Sequence, residues 1–143
     1  MMELNLSQLN SSEWSERHIQ LPGFDIDVVR KYTKNNPKWV HFGCGNIFRA
    51  FPAAVLQELL NQGAEDVGLI VAEGFDDEII EKIYRPHDNL SLLVTLKADG
   101  SVEKKVIGSV AESMLMNKKS VADAERLCEI FRSPSLQMAS FTI

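Results

Sequence analysis

The chain has 143 residues, about the length of one ordinary domain, and its 45% hydrophobic and 24% charged residues are typical of a globular protein rather than a disordered one. It has 15 Lys and Arg against 20 Asp and Glu, and the net charge of -5 disfavours a nucleic-acid partner, which needs clustered positive charge. This balance does not exclude a small anionic ligand held by backbone amides.

Cysteine usage and the absence of long apolar runs bear on the compartment. Cys44 and Cys128 form neither a CxxC pair nor a metal-ligand spacing. The N-terminus lacks the basic and apolar regions of a signal peptide, and no apolar run is long enough to span a bilayer. We therefore expect a cytoplasmic protein with reduced thiols, no metal and no membrane partner, in which Cys128 is buried and inert.

The first 36 residues are polar and weakly periodic, and we interpret them as an N-terminal arm that leads into a domain over 37–143. A short helix through Val28 and Tyr32 is predicted near the end of this arm, with Asp25 or Asp27 as its cap. It ends before Pro37, because the residue that precedes a proline avoids helical geometry.

A strand, a turn and a helix follow in close succession. Trp39–Phe42 is a short β-branched and aromatic run that predicts a buried strand, and a glycine-rich turn over 43–46 ends it. Pro52 fits the first turn of the next helix, and Gly63 fits its left-handed cap. The apolar face of this helix is predicted at Val55, Leu56, Leu59 and Leu60.

A second apolar run covers 67–72 and predicts a strand with apolar residues on both faces. Such strands are typical of a parallel sheet covered by helices on both sides. A helical turn or a short helix is predicted over 76–84, and strands over 90–97 and 102–110 flank a hairpin signal at 99–100. The pattern indicates an α/β fold with a mainly parallel sheet plus an antiparallel hairpin.

The last predicted elements are a helix over 121–131, capped by Ser120, and a strand over 136–143. The apolar face of the helix is predicted at Val121, Ala124, Leu127, Cys128 and Phe131. Because a domain rarely finishes inside a strand that looks buried, we expect the 143 residues to be an N-terminal piece of a longer protein.

The order of strand, glycine turn, helix, strand and acidic residue is that of a dinucleotide-binding domain. Gly43 permits a tight turn, and Gly45 lets a pyrophosphate approach the backbone at the helix N-terminus. Glu73 ends the second strand, where a carboxylate can accept hydrogen bonds from an adenosine ribose. It would repel a 2′-phosphate, and Asp76 and Asp77 add to that repulsion, so the expected cofactor is NAD rather than NADP.

The glycine pattern by itself is weak evidence for such a site. Phe48 stands where GxGxxG has its third glycine, and 28 residues separate Gly45 from Glu73, whereas about 20 is usual. On the pattern alone, a plain glycine turn in some other α/β domain remains an open alternative.

The decapeptide HFGCGNIFRA over 41–50 resembles the signature of the polyol-specific long-chain dehydrogenases. That family contains mannitol 2-dehydrogenase, fructuronate (mannonate) and tagaturonate reductases, and mannitol-1-phosphate 5-dehydrogenase. The resemblance runs from about residue 21 to 143 and includes the segments 21–25, 88–90 and 140–143. The family often has His where this chain has Phe48 and Phe51, and these departures are most similar to fructuronate reductase-like members.

The resemblance implies a Rossmann-like N-terminal domain, NAD as the cofactor, no metal, and hydride transfer between a ketose or keto-uronate and its alcohol. It also implies that catalysis depends on a lysine, with asparagine and histidine helpers, in a C-terminal helical domain beyond residue 143. We therefore expect no catalytic residue in these 143 residues. The chain alone is expected to bind NAD and to turn over neither a sugar alcohol nor a uronate.

We predict a cofactor-binding site made of Gly43, Cys44, Gly45, Asn46, Ile47, Phe48, Arg49, Glu73 and Thr142. Arg49 is expected to face the pyrophosphate, with a surface ion pair as the alternative. Phe48 and Phe51 either line the nicotinamide end or pack in the core or a domain interface. Such aromatics, left exposed without their partner domain, would favour self-association.

A different class of function uses the same turn. The rival hypothesis is a non-catalytic module that senses a nucleotide or binds another protein. The sequence beyond residue 143 discriminates between the two hypotheses. A helical domain with a lysine, an asparagine and a histidine supports the enzyme, and a stop or an unrelated domain supports the module.

Overall fold

A computed structural model describes residues 2–117 and 119–142. The α-helices in these ranges are α1 (Glu13–Glu16), α2 (Ile26–Asn35), α3 (Asn46–Ala50), α4 (Pro52–Asn61), α5 (Asp77–Ile79) and α6 (Val121–Arg132). The strands are β1 (Ile19–Gln20), β2 (Trp39–Phe42), β3 (Leu69–Glu73), β4 (Ser91–Leu96), β5 (Val102–Ile107), β6 (Val110–Leu115) and β7 (Met138–Phe141). A short π-helix over Ile80–Tyr84 extends α5, and 3-10 helical turns occur at Leu6–Gln8 and Arg85–His87.

The strands form two sheets. The larger sheet has the order β6-β3-β2-β7 and is parallel throughout. The smaller sheet has the order β1-β5-β4, in which β4 and β5 form an antiparallel hairpin and β1 runs parallel to β5. Counted along the chain, the larger sheet has the 3-2-1-4 order with which a Rossmann sheet begins. The α/β, Rossmann-like fold with a parallel sheet and an antiparallel hairpin is therefore confirmed.

Strand β3 lies at the centre of the larger sheet, and all five of its residues are buried. Leu69 and Val71 face one core, which includes Leu56 and Leu60 of α4. Ile70 and the other alternate residue, Ala72, face a second core together with residues of β2, β6 and α6. The continuous apolar run in the sequence arises because both faces of this strand are covered.

The arm predicted over 1–36 packs closely on the rest of the chain. Asp25, rather than Asp27, caps α2, and its Oδ1 accepts a hydrogen bond from the Val28 N–H at 3.0 Å. Thr33 of the same helix is fully buried, and its Oγ1 accepts the Gly68 N–H at 2.8 Å. The division of the chain at residue 37 stays a proposal; within the described residues the arm contributes to the core.

Two predicted apolar faces are partly wrong. Helix α4 buries Leu56 and Leu60 as expected, but Val55 and Leu59 are 47% and 41% exposed, and Ala53 and Gln57 take their places in the interior. Helix α6 buries Ile130, whereas its expected apolar residues Val121, Cys128 and Phe131 are exposed. The helical period was right in both cases. Which face of the helix is buried depends on where the sheet lies, and the period carries no information about that.

The predicted return strand over 102–110 is two strands in different sheets. Strand β5 ends at Ile107, and the chain crosses through 108–109 and resumes as β6, parallel to β3. Strand β6 escaped prediction because polar residues interrupt its apolar pattern. Glu112 forms an ion pair with Arg126 at 2.7 Å, and Ser113 donates a hydrogen bond to Asn89 Oδ1 at 2.6 Å, so tertiary partners account for both polar residues.

The predicted last strand is present as β7, but it is not buried. It pairs with β2 and forms the edge of the larger sheet, with Met138 and Phe141 exposed by 45% and 66%. Of the predicted 136–143 range, Ile143 lies outside the described residues, as does Met1 of the arm.

Gln57 controls the point where the chain changes sheets. Its Nε2 donates to the Val106 carbonyl and its Oε1 accepts the Gly108 N–H, both at 2.7 Å and both buried. We expect Gln57→Leu to lower the free energy of unfolding by about 1–3 kcal/mol, because it leaves two buried backbone groups without partners. Urea unfolding followed by tryptophan fluorescence measures the change.

The matched control is Gln62→Leu at the exposed end of α4, which is expected to change stability by less than about 0.5 kcal/mol. Equal stability losses for the two variants would show that the Gln57 hydrogen bonds do not hold the crossover.

Candidate functional site

The carboxyl ends of β2, β3 and β7 meet at a cleft of about 1000 Å³. The cleft lies between β2 and β7, where the strand order of the larger sheet reverses, and ligands of open α/β sheets bind at such a point. Eight of the nine predicted site residues line it: Gly43, Cys44, Gly45, Asn46, Ile47, Phe48, Glu73 and Thr142. The topology thus brings together residues that are almost 100 positions apart in the sequence.

The two glycines of the turn play different parts. Gly43 has a φ of +100°, and its N–H donates to the Ala72 carbonyl at 3.0 Å. A Cβ on Gly43 would lie 2.6 Å from Thr142 Oγ1, so β7 approaches the turn too closely for any side chain. A Cβ on Gly45 would meet nothing within 4 Å, so Gly45 leaves open space on the side of the cleft.

Helix α3 begins directly after Gly45, whose backbone serves as its N-cap without a side-chain hydrogen bond. The first N–H groups of a helix have no acceptor within it, and here they belong to exposed residues that line the cleft, Asn46 and Ile47. The helical path breaks at Phe51, and Pro52 occupies the first position of α4 as predicted. The cleft therefore holds backbone donors of the kind that bind an anion.

The carboxylate of Glu73 is already engaged by the protein. Its Oε1 accepts the N–H groups of Gly74 and Phe75 at 3.0 and 2.9 Å, and that of Asp76 at 3.3 Å. Its Oε2 accepts the N–H and the S–H of Cys44, both at 3.1 Å. Burial acts to raise the pKa of Glu73, but these hydrogen bonds outweigh it and hold the pKa below its ordinary value.

Glu73 therefore connects the turn after β2 to the loop after β3. A carboxylate has about four lone-pair sites, and five hydrogens already point at this one. The direct hydrogen bond to a ribose that the sequence suggested for Glu73 stays a prediction; in this structure the carboxylate joins the turn to the loop and acts as a brace.

Cys44 is buried and its thiol is unreactive in character. Burial raises the pKa of Cys44, and the hydrogen bond to the Glu73 carboxylate raises it further. Its carbonyl accepts the Tyr84 hydroxyl at 2.8 Å, so a third element supports the turn. Sequence reasoning missed Tyr84, because nothing in its local pattern shows that the π-helix after α5 returns to the glycines.

Arg49 is the one predicted site residue that does not line the cleft. Its Nη2 donates to Asn46 Oδ1 at 2.5 Å, and its guanidinium carbon lies 6.0 Å from the Tyr84 ring centroid. It faces a neighbouring cavity of about 330 Å³ against β4. The expectation that Arg49 faces the pyrophosphate stays a prediction; in this structure the side chain lines the neighbouring cavity instead of the cleft.

The aromatic side chains near the turn are not equivalent. Phe48 is fully buried and stacks on His41, with ring centroids 4.6 Å apart. Phe51 is 67% exposed and lies outside the cleft lining. Of the two alternatives, Phe48 forms the floor of the cleft as a core residue, and Phe51 does not contribute to it.

The described residues hold neither a cluster of metal ligands nor a helix fit to span a membrane. Within 2–117 and 119–142, no three His, Cys, Asp or Glu side chains are grouped so that they could hold a metal ion. No helix in the same ranges has the length and apolar character needed to cross a membrane.

Replacing Glu73 with Gln tests the brace. An amide cannot accept at both ends, so we expect Glu73→Gln to lower the free energy of unfolding at pH 7 by about 1–3 kcal/mol. Because the folded pKa is lowered, the stabilising effect of the carboxylate is complete above the ordinary glutamate pKa of about 4.5 and is lost as the pH falls toward the folded value. The loss of stability between pH 7 and pH 3 should therefore be shallower in the variant.

Chemical unfolding at a series of pH values measures both effects. Glu125→Gln on the exposed face of α6 is the control and should follow the original chain at every pH. A Glu73→Gln protein with unchanged stability and unchanged acid dependence would contradict the brace.

Known proteins with similar sequences are named as oxidoreductases. No family model matches the chain. It is 54% identical over 143 residues to D-mannonate oxidoreductase of Thermotoga maritima. The matched region covers 99% of this chain and 26% of that protein. It is 27% identical over 130 residues to polyol:NADP oxidoreductase of Gluconobacter oxydans. This matched region covers 88% of this chain and 24% of that protein.

Two solved structures share the fold. A substrate-free D-sorbitol dehydrogenase has a TM-score of 0.71 at 27% identity, over 88% of this chain and 24% of that one. Mannitol 2-dehydrogenase of Pseudomonas fluorescens, in a ternary complex with NAD and D-mannitol, has a TM-score of 0.71 at 24% identity, over 94% and 26% of the chains. Over most of its length the chain is thus similar to a mannonate oxidoreductase and to polyol oxidoreductases, as its decapeptide indicated, and it spans about a quarter of the length of the proteins that it matches.

Proposed function

We propose that this chain is the NAD-binding part of an oxidoreductase that transfers a hydride between NAD(H) and a sugar alcohol or uronate, of the mannitol dehydrogenase or fructuronate reductase type. One observation carries the proposal: the glycine turn opens into a cleft at the switch point of the sheet, and the space beside Gly45 is free. The 54% identity to a mannonate oxidoreductase supports the same reaction class.

The residues that line the cleft fit a dinucleotide. The N–H groups at the start of α3 suit the pyrophosphate, and the missing side chain at Gly45 lets the phosphates approach the backbone. In this arrangement Thr142, at the end of β7, lies on the nicotinamide side, and Glu73, at the end of β3, lies on the adenosine side. The nicotinamide ring of the bound cofactor supplies or accepts the hydride.

The charges at the end of β3 favour NAD over NADP. The pKa of Glu73 is held low, so its buried carboxylate stays negative at neutral pH, and the exposed Asp76 follows it three residues later. Both would repel a 2′-phosphate, and this repulsion needs no direct contact with the ribose. The Gluconobacter relative is named for NADP, so the preference rests on these residues of this chain and not on the family.

The activity and partners of the whole protein are proposals, because the chain spans about a quarter of its relatives. We propose that a C-terminal helical domain supplies the catalytic lysine and the sugar-binding groups, so the 143 residues bind NAD without turnover. Two free cysteines suit a cytoplasmic location. Exposed apolar side chains, including Ile47, Phe51 and Phe141, would favour self-association of the chain when it is expressed alone.

The reaction is tested by comparing the chain with a version extended to the length of its relatives. With NAD and D-mannonate, D-mannitol or D-sorbitol, only the extended protein should produce NADH. Oxidation of any of these substrates by residues 1–143 would contradict the proposal that the catalytic groups lie in a C-terminal domain. An extended protein that oxidises none of them would contradict the reaction class.

Gly45→Val tests the cleft without disturbing the fold. The Cβ of the added side chain meets no protein atom within 4 Å, and the side chain enters the space proposed for the pyrophosphate. We expect the affinity for NADH to fall by about tenfold or more, which corresponds to about 1.4 kcal/mol, and the free energy of unfolding to fall by no more than about 1 kcal/mol, because valine is a poorer N-cap than glycine. Calorimetric titration with NADH measures the affinity, and chemical unfolding measures the stability.

Ala64→Val adds bulk at an exposed turn outside the cleft lining and serves as the control. Gly45→Ala should give an intermediate loss. If Gly45→Val binds NADH as tightly as the original chain does, the pyrophosphate is not held at this turn.

The cofactor preference is tested by titrating NADH and NADPH side by side. We expect NADH to bind at least about tenfold more tightly, because the Glu73 and Asp76 charges oppose the 2′-phosphate. Higher salt should narrow the difference by screening these charges. Equal affinities for NADH and NADPH at low salt would contradict the preference for NADH but not the proposal of a dinucleotide site.

A further inference from the structure

A line of hydrogen bonds connects β2 to β7 beneath the cleft. Trp39 Nε1 donates to Ser140 Oγ at 2.7 Å, and Ser140 Oγ lies 2.7 Å from His41 Nδ1. On the other side of the ring, His41 Nε2 lies 3.1 Å from Thr142 Oγ1. Thr142 Oγ1 in turn lies 3.5 Å from the Gly43 carbonyl oxygen. The line therefore begins at one end of β2 and finishes at the glycine turn.

The direction of these bonds follows from counting hydrogens. The indole of Trp39 only donates, so Ser140 Oγ accepts from it and has one hydrogen of its own to place. If His41 Nδ1 accepts that hydrogen, Nε2 carries the ring proton and donates to Thr142, whose hydroxyl hydrogen then points toward the Gly43 carbonyl. Every hydrogen along the line has an acceptor in this arrangement.

The opposite tautomer leaves a hydrogen without an acceptor. With a proton on His41 Nδ1, Ser140 Oγ would accept from both rings, and among the described residues its own hydroxyl hydrogen would have no partner along this line. A charged imidazolium has the same defect. Ser140 is partly exposed, so its hydrogen would have to turn away from the line toward solvent, whereas the neutral Nε2–H form pairs every donor within the line and is therefore favoured.

The surroundings of the ring are consistent with the neutral form. His41 is 2% exposed, and its ring stacks on the fully buried Phe48, with an interplanar angle of 17°. Burial lowers the pKa of His41, so the imidazole is uncharged at neutral pH.

We propose that His41 is a positioning residue of the cleft, which as the neutral Nε2–H tautomer fixes the Thr142 hydroxyl against the glycine turn. A Cβ on Gly43 would lie only 2.6 Å from Thr142 Oγ1, so this hydroxyl packs directly against the glycine of the turn. Its effect on cofactor affinity rests on the proposed NAD-binding function; the tautomer and the position of Thr142 do not.

The tautomer is read directly by long-range ¹H–¹⁵N correlation spectra of the ¹⁵N-labelled chain at pH 7. The chain has 3 histidines, and loss of one signal set in His41→Gln assigns that of His41. We expect an unprotonated Nδ1 and a protonated Nε2. In Ser140→Ala, which removes the donor to Nδ1, a population with the proton on Nδ1 should appear. A ring that is Nδ1-protonated or doubly protonated in the original chain overturns the proposal.

Two variants of His41 test the positioning. His41→Phe keeps a ring against Phe48 but cannot donate to Thr142, whereas the side-chain amide of His41→Gln can. We expect His41→Phe to shift the backbone amide signals of Gly43 and Thr142 and to weaken NADH binding about tenfold. We expect His41→Gln to keep amide signals and an NADH affinity close to those of the original chain. If His41→Gln shows the same shifted amide signals and the same weak NADH binding as His41→Phe, the role of His41 is packing and the proposal is overturned.

Failure of the two proposals can be told apart. If the chain binds no NADH but the tautomer and the Gly43 and Thr142 shifts behave as expected, the NAD-binding function fails and His41 still positions the turn. If NADH binds equally well to the original chain and to His41→Phe, with unchanged amide signals, the positioning role fails and the NAD-binding function stands.

Discussion

The cleft depends on how the backbone is held as it leaves β2. The buried carboxylate of Glu73 accepts hydrogens from the turn on one side and from the loop after β3 on the other. A buried carboxylate is stable only when its lone pairs are satisfied, and here backbone N–H groups satisfy them. The same contacts therefore stabilise the charge and hold two ends of the sheet together.

The opposite wall of the turn is made by β7. Gly43 has no side chain, so Thr142 can come within contact distance of it, and His41 holds the Thr142 hydroxyl from below. The turn thus lies between a carboxylate from β3 and a hydroxyl from β7. Gly45, between these supports, is the position where the protein leaves space rather than filling it.

Much of this arrangement was predictable because it depends on local chemistry. The glycine turn, the α2 cap at Asp25, the place of Pro52 and the left-handed Gly63 follow from backbone rules that act over a few residues. The parallel β2–β3 pair followed from strands that are apolar on both faces. The decapeptide signature added a resemblance to the polyol-specific long-chain dehydrogenases, and the comparisons find a mannonate oxidoreductase with 54% identity to the chain.

Other features escaped prediction because each depends on a partner distant in sequence. Arg49 was assigned to the cleft by its place in the signature, yet its side chain packs by Tyr84. Strand β6 was hidden by Glu112, whose charge is neutralised by Arg126. Cys128 has the apolar character of a core residue but lies on the open face of α6.

The sequence by itself determined the order of the elements, the glycine turn and the residue types at the end of each strand, since these are set by neighbours along the chain. Only the tertiary structure decided which donors the Glu73 carboxylate meets and which tautomer His41 adopts. Those outcomes depend on hydrogen-bond partners that β3 and β7 bring to the turn. Because a polar side chain takes its role from its partners, its position in the sequence indicates a site without stating what the side chain does there.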